Sequence, residues 1–128
     1  MASFKYSIRV EPERNVVYMT QSGRPQARDF RALLEELSEA TTRLQPGFTL
    51  VNDQRYLEPF DEDAMSVAKE LVNVVDRAGL SKVIRIVPSD LVSQTKILRA
   101  LVTGESSYQT VRVSSPAEAE KHISGELG

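Results

Sequence analysis

The sequence predicts an α/β fold in which a single mixed β-sheet is packed by about four helices. Apolar residues alternate or run together in some segments, as in strands, and recur every three to four positions in others, as in amphipathic helices. Only residues 11–15 separate the first two strands, which predicts an antiparallel hairpin. Each later strand follows a single helix, which predicts parallel strands joined by right-handed crossovers.

The chain opens with the predicted hairpin, whose strands are expected at 4–10 and 16–20. Tyr6, Ile8 and Val10 share one face of the first strand, because side chains alternate between faces with a period of two. The segment between the strands, Glu11-Pro12-Glu13-Arg14-Asn15, has the composition of a tight reversal.

A helix and a short strand are predicted next. Pro25 suits the first turn of the helix, and Pro46-Gly47 ends it. The apolar stripe of this helix consists of Phe30, Leu33, Leu34, Leu37, Thr41 and Leu44. Residues 48–51 (FTLV) follow as a strand that is expected to be covered on both faces.

The second helix is framed by a cap and a stop. Asp61 or Asp63 can cap its start, and Gly79 supplies a left-handed end. Its predicted inner face consists of Ala64, Val67, Ala68, Leu71, Val75 and Ala78. Residues 82–87 (KVIRIV) form the next strand, which Pro88 ends.

Three further elements complete the order ββαβαβαβα, and residues 1–128 are expected to form one domain. Ser89 or Asp90 caps a third helix that ends at Gly104. Its inward residues are Leu91, Thr95, Leu98, Leu101 and Val102. A final strand is predicted at 108–113, and the capping box Ser115-Pro116-Ala117-Glu118 starts a last helix.

Composition argues against several functions. The net charge of −2 and the lack of a basic block argue against nucleic-acid binding through the phosphate backbone. With no cysteine and one histidine, His122, the chain offers little for thiol chemistry, catalytic triads or zinc. No phosphate-binding or nucleophile motif occurs, so no enzyme activity, cofactor or metal site is predicted. No signal peptide or membrane span is apparent, so a cytoplasmic location without membrane insertion is expected.

The most informative stretch is 48–65, where a buried strand leads into a polar loop and an acidic helix start. The combination of aromatic, arginine and acidic side chains is typical of a protein-binding surface. The predicted partner-binding residues are Asp53, Arg55, Tyr56, Phe60, Asp61, Glu62 and Asp63. Three alternatives stay open: Asp53 pairs with Arg55, Phe60 packs against the helix start, and Tyr56 covers the sheet end.

The element order and two motifs resemble STAS domains, the fold of bacterial anti-sigma-factor antagonists of the SpoIIAA type. The likeness is greatest to the SpoIIAA-like branch grouped as STAS/Sec14-like, and it spans roughly residues 6–127. The motifs are LVNDQRYLEPFDED at 50–63 and VRVSSPAEAEKHI at 111–123. The resemblance implies a non-enzymatic signalling module that docks another protein, such as an anti-sigma-type regulator, or forms a homodimer.

In phospho-regulated STAS proteins the second helix opens with Asp-Ser-Ser-Gly, and a partner kinase phosphorylates one serine. Aligned without a gap, this pattern falls on Asp61-Glu62-Asp63-Ala64, so Asp63 occupies the phosphosite-equivalent position. The hypothesis is that Asp63 fixes a negative charge there, without phosphorylation. The alternative is that these acids only stabilise the first helical turn.

The Sec14-like relationship implies a second function, the carriage or sensing of a small apolar ligand between the sheet and the helices. This function requires a cavity beside the inward stripes of the second and third helices. The small residues Ala64, Ala68 and Ala78 on these stripes, all in the second helix, are compatible with a cavity and also with tight packing.

Overall fold

The computed structural model describes residues 3–88 and 108–124. Its strands are β1 (Lys5–Glu11), β2 (Val16–Gly23), β3 (Phe48–Leu57), β4 (Leu80–Ile86) and β5 (Gln109–Val113). Its helices are α1 (Ala27–Thr41), α2 (Glu62–Arg77) and α3 (Pro116–Ser124). The helix predicted from Ser89 or Asp90 to Gly104 lies outside the described residues. Every other predicted element is present, in the predicted order.

The strands form one five-stranded sheet in the order β1-β2-β3-β4-β5. β1 pairs antiparallel with β2, whereas β2–β3, β3–β4 and β4–β5 are parallel. The predicted mixed α/β sheet is therefore confirmed. Helices α1 and α2 pack against each other and over one face of the sheet, the front face, while α3 packs over β3, β4 and β5 on the other, the back face.

The front face carries most of the buried apolar residues. Strand residues alternate between the two faces, so Leu50 and Val83 join the front cluster while Val51 and Ile84 join the back cluster. The predicted inner residues of β1, namely Tyr6, Ile8 and Val10, pack against the front cluster as expected. The buried front residues of the two helices are Phe30, Leu33, Leu37, Ala64, Val67, Ala68, Leu71 and Val75.

The helix ends differ from the sequence prediction in detail. Helix α1 begins at Ala27 rather than in a turn containing Pro25, because Gln26 and Asp29 form a capping box. Asp61 caps α2 by accepting a hydrogen bond from the Ala64 N–H at 2.9 Å. The predicted inward residue Ala78 is instead the exposed C-cap of α2, since the helix ends at Arg77.

Gly79 is required at the end of α2 for two reasons. Its φ is +112°, where residues with a Cβ are strained. A Cβ at this position would also lie 2.8 Å from the Cα of Pro46. This close approach lets the Gly47 N–H donate to the Gly79 carbonyl at 2.7 Å, which joins the end of α2 to the start of β3.

Strand β3 is longer than predicted, because it continues past Val51 to Leu57. Its register with β2 passes from Thr20↔Asp53 to Ser22↔Tyr56, so β3 contains one extra residue there, a β-bulge. The sequence predicts that the strand ends by Asp53 and that Tyr56 lies in the loop before the second helix. This was wrong because the polar residues of this segment are paired with neighbours in space, which allows the strand to continue.

A network of polar side chains connects α3 to the β1–β2 hairpin on the back face of the sheet. Glu120 accepts hydrogen bonds from Arg14 at 2.8 Å and from the Tyr18 hydroxyl at 2.7 Å. Arg14 also pairs with Glu11, and the Arg9 guanidinium lies 4.1 Å from the centroid of the Tyr18 ring. The Arg14 contact holds the pKa of Glu120 below its usual value, and burial, followed by Glu120, raises the pKa of Tyr18 to about 12.

Candidate functional site

Four polar side chains lie buried on the front face, towards the carboxyl ends of β2, β3 and β4. We call Gln21, Asn52, Gln54 and Arg85 the polar row. Each is at most 5% exposed, although the front face around them is otherwise apolar. Open α/β sheets bind their ligands at this end of the strands. The polar row is therefore the first place to seek a function.

The polar row is held by side-chain hydrogen bonds between neighbouring strands. The Gln21 amide nitrogen donates to the Asn52 amide oxygen at 2.8 Å. Arg85 Nη1 donates to the Gln54 amide oxygen at 3.2 Å. The backbone supports these contacts, because Asn52 and Arg85 are register partners on β3 and β4. Buried amides are satisfied in this way at little cost, whereas a buried charge is not.

Arg85 is the unusual member of the polar row. Its side chain is 3% exposed, and burial lowers the pKa of its guanidinium. Among the described residues no carboxylate forms an ion pair with it. Its Nε is buried and has no hydrogen-bond partner. A guanidinium stays protonated in proteins, so the front face contains a positive charge that neutral groups solvate incompletely.

The polar row borders a cavity of about 40 Å³ between the sheet and the two front helices. Its other walls are mainly apolar and include Leu33, Leu50, Ala68, Leu71, Val75 and Val83. Tyr108, the residue before β5, completes the wall near Arg85 and interacts with its guanidinium. The cavity thus offers polar contacts on one side and an apolar lining on the others.

The predicted partner-binding residues lie in two environments. Asp53 and Arg55 form an ion pair, with 2.8 Å between Arg55 Nη2 and Asp53 Oδ2, and the Arg55 N–H also donates to Asp53. The expected Asp53–Arg55 pairing is therefore confirmed. The Arg55 guanidinium also lies 5.2 Å from the centroid of the Tyr56 ring. These three residues form one connected cluster on β3.

The two aromatic residues of the stretch behave differently. Tyr56 is 65% exposed and is the one large apolar side chain exposed among residues 3–88 and 108–124. Phe60 is half-buried and packs edge-to-face on Phe30 of α1, with ring centroids 5.1 Å apart. Phe60 thus holds the start of α2 against the front cluster, which confirms the alternative that Phe60 packs against the helix start. Tyr56, in contrast, faces solvent.

The acidic residues at the start of α2 border a surface groove. Asp61 and Asp63 line it together with Arg24 and Arg28, near the starts of α1 and α2. The groove has a volume of about 620 Å³. Asp63 also borders a second depression, which Arg31 lines as well. Glu62 lies in the same exposed helical turn.

Within the described ranges, no three His, Cys, Asp or Glu side chains come together to hold a metal ion. No helix in the same ranges is long and apolar enough to cross a membrane. The sequence prediction did not identify the polar row. The signal it passed over was an arginine inside an apolar strand, VIRIV at 83–87, which is unusual because unpaired arginines are seldom buried.

No protein-family model matches the chain, and no curated protein is significantly similar to it in sequence. Solved structures are similar in fold. An uncharacterised protein of the DUF3478 family with a SpoIIAA-like fold, from Shewanella loihica PV-4, superimposes with a TM-score of 0.72 at 13% identity, over 96% of this chain and 98% of that one. The anti-sigma factor antagonist SpoIIAA, in its unphosphorylated form, superimposes with a TM-score of 0.63 at 14% identity, over 94% and 97%.

These comparisons confirm the fold expected from the resemblance: the chain has a SpoIIAA-like α/β architecture. At 13–14% identity they establish the fold and nothing finer. The function must therefore be argued from the side chains that this chain carries on that fold.

Proposed function

We propose that the protein is a non-enzymatic regulatory module of the STAS type that docks a protein partner through the surface around Tyr56. The observation that carries the proposal is the 65% exposure of the Tyr56 side chain. Exposed tyrosines beside arginine and acidic groups are enriched at protein interfaces, where they bury a large area with few rotatable bonds. A similar fold in an anti-sigma factor antagonist supports the same class of function.

The proposed docking surface comprises Asp53, Arg55, Tyr56, Glu62 and Asp63, with Phe60 and Asp61 as its support. The Asp53–Arg55 ion pair and the contact between Arg55 and the Tyr56 ring restrict the tyrosine before binding. A side chain that is already restricted loses less entropy when a partner covers it. Asp61 caps α2 and Phe60 anchors its start, so both act by positioning the exposed turn that holds Glu62 and Asp63.

The test compares wild-type protein with Tyr56→Ala as bait, and with Glu13→Ala as a matched control in the exposed turn of the hairpin. Quantitative proteomics identifies proteins retained by wild type and Glu13→Ala but lost with Tyr56→Ala. Titration of the purified partner then gives the affinity. We expect Tyr56→Ala to weaken binding at least about tenfold, as for a central interface tyrosine. Equal affinity of the three baits would reject the docking surface.

Light scattering over a range of protein concentrations separates the two kinds of partner. Docking of another protein leaves wild type and Tyr56→Ala equally monomeric. A second copy as partner requires a dimer whose dissociation constant rises in the Tyr56→Ala variant.

Asp63 is proposed to supply a permanent negative charge at the phosphosite-equivalent position, with no phosphorylation there. Its place in a groove that Arg24 and Arg28 also line supports an electrostatic role in docking. Asp63→Ser, Asp63→Ala and Asp63→Lys are compared in the partner titration. The charge hypothesis expects the affinity to change progressively from Asp to Ser or Ala to Lys. Indifference to all three would leave Asp63 with only its effect on the first turn of α2.

A second candidate function is the carriage or sensing of a small ligand, and the front-face cavity favours it. The cavity has apolar walls and lies at the carboxyl ends of the strands, where ligands bind in related architectures. Its volume of about 40 Å³ suits a small molecule, since a drug-sized ligand fills at least about 300 Å³. Native mass spectrometry of gently purified protein is expected to show a retained ligand, and bare protein alone would contradict this function.

A further inference from the structure

We infer that Arg85 is the anion-recognition group of the front-face cavity, and that the cavity accepts a small organic carboxylate with an apolar tail. This inference deepens the ligand-carrying candidate and depends on it, but not on partner docking. Three observations support it: a buried cation without a counter-ion among the described residues, hydrogen-bond donors beside it, and apolar walls around both.

The first observation is the charge. Arg85 lines the cavity, is 3% exposed, and has a buried Nε without a hydrogen-bond partner. Asp53 follows Asn52 on β3, so its side chain lies on the opposite face of the sheet. There it forms an ion pair with Arg55. The charge of Arg85 therefore has no internal carboxylate within the described residues. An anion in the cavity would supply the missing partner and occupy the free Nε donor.

The second observation is the direction of the hydrogen bonds in the polar row. Arginine can only donate, so Gln54 presents its amide oxygen to Arg85 and its amino group elsewhere. The Asn52 amide oxygen likewise accepts from Gln21, so the Asn52 amino group takes no part in this bond. Gln21, at the far end of the row, keeps an amide oxygen outside these bonds, whereas the groups nearest Arg85 are a set of donors, the amino groups of Asn52 and Gln54. A carboxylate, which only accepts hydrogen bonds when ionised, complements such a set.

The third observation is the shape and lining of the cavity. A volume of about 40 Å³ corresponds to roughly three water-sized spheres. Leu50, Leu71 and Val75 are among its apolar walls. A carboxylate at Arg85 with a short hydrocarbon tail along these walls matches both the charge and the lining. A phosphate-sized anion without a tail would instead leave the apolar walls facing water.

The experiment titrates wild-type protein with sodium butyrate and with butyramide, a neutral molecule of nearly the same shape, at constant ionic strength. Binding is followed by calorimetry and by the side-chain amide NMR signals of Asn52 and Gln54. Butyrate is expected to bind at least about tenfold more tightly than butyramide and to shift both amide signals. A series from acetate to decanoate then reports the tail length that the cavity accepts.

Two variants test the role of Arg85. Arg85→Met keeps an unbranched apolar side chain in place of the aliphatic part of arginine and removes the guanidinium, and we expect it to lose at least about tenfold in butyrate affinity while butyramide is unaffected. Arg43→Met, at an exposed arginine of the α1–β3 connection, is the matched control and should bind butyrate as wild type does. Gln54→Glu, which adds an internal carboxylate beside Arg85, folds without a ligand and should also lose butyrate binding.

Each outcome decides the inference. Equal affinities for butyrate and butyramide, or wild-type butyrate affinity in Arg85→Met and Gln54→Glu, would overturn anion recognition. If no carboxylate of the series binds but native spectra show a retained neutral ligand, the inference fails and the carrier function survives. If no carboxylate binds and native spectra show bare protein, both fail together.

Discussion

The Gln54→Glu variant is expected to stabilise the folded protein, although it introduces a charge at a position that is 2% exposed. In the wild-type protein the Gln54 amide oxygen accepts from Arg85 Nη1 at 3.2 Å. A glutamate keeps the shape of the side chain and this contact, and it provides the counter-ion that Arg85 lacks among the described residues. Most buried substitutions by a charged residue are destabilising, so a gain here would be diagnostic.

The magnitude follows from two opposing free energies. At 3.2 Å and an effective dielectric constant near 20, the attraction between the two charges is about 5 kcal/mol. Burying the carboxylate costs several kcal/mol in return. The attraction exceeds this cost by about 1–2 kcal/mol, which is the net gain we expect. For 128 residues this corresponds to a rise in melting temperature of about 4–7 °C.

The assay is urea and thermal denaturation of wild type, Gln54→Glu and the control Gln21→Glu. Gln21 is equally part of the polar row but is bonded to Asn52, so a carboxylate at this position meets no cation and should destabilise the fold. Because Arg85 should depress the pKa of the carboxyl group introduced by Gln54→Glu, the gain should be present above about pH 4.3 and be lost on further acidification. Destabilisation by Gln54→Glu as large as by Gln21→Glu would refute the reasoning.

Three further predictions concern the frame around the site. Gly79→Ala is expected to lower the free energy of unfolding in urea by about 1–3 kcal/mol, and by more than Gly47→Ala, since both have positive φ but a Cβ at Gly47 meets nothing within 4 Å. Asp61→Ala should cost about 1 kcal/mol and Asp61→Asn much less, because asparagine also caps helices; equal losses would contradict the capping role. Ultraviolet titration should show Tyr18 ionising near pH 12, and nearer its usual pH 10 in Glu120→Gln. Since the folded pKa lies above the unfolded one, the stability that Tyr18 contributes is full below pH 10 and is lost as the pH rises through 12; an unshifted tyrosine would count against this contact.

The fold was predictable because its signals are local. The hairpin, the helical stripes and stops such as Gly79 are each encoded by residues close together in the chain, and the structure bears them out. Ala78 was placed wrongly because helical spacing continues in the sequence one residue beyond Arg77, where the helix ends. Periodicity alone does not report where hydrogen bonding stops.

The polar row was not predictable by the same means. Asn52 and Gln54 alternate with Asp53 and Arg55, so the whole segment is polar and resembles an exposed loop. Burying the Asn52 and Gln54 amides costs little free energy because residues of β2 and β4, distant in the sequence, form hydrogen bonds with them. Asp53 and Arg55, two residues apart, could be paired from the sequence because their contact is local.

The extra residue in β3 has a consequence for how this chain tolerates insertions and deletions. With the bulge, Gln54 and Leu57 both line the front-face cavity and Tyr56 is directed to solvent. Removing one residue between Asp53 and Tyr56 would close the bulge and keep the Ser22↔Tyr56 register, so the tyrosine would stay directed to solvent and the leucine would stay inward. Adding a residue to the regular part of the strand would instead move the side chains beyond it to the opposite face. The bulge is thus a position where the strand can lose one residue while the cavity lining and the exposed tyrosine both keep their places.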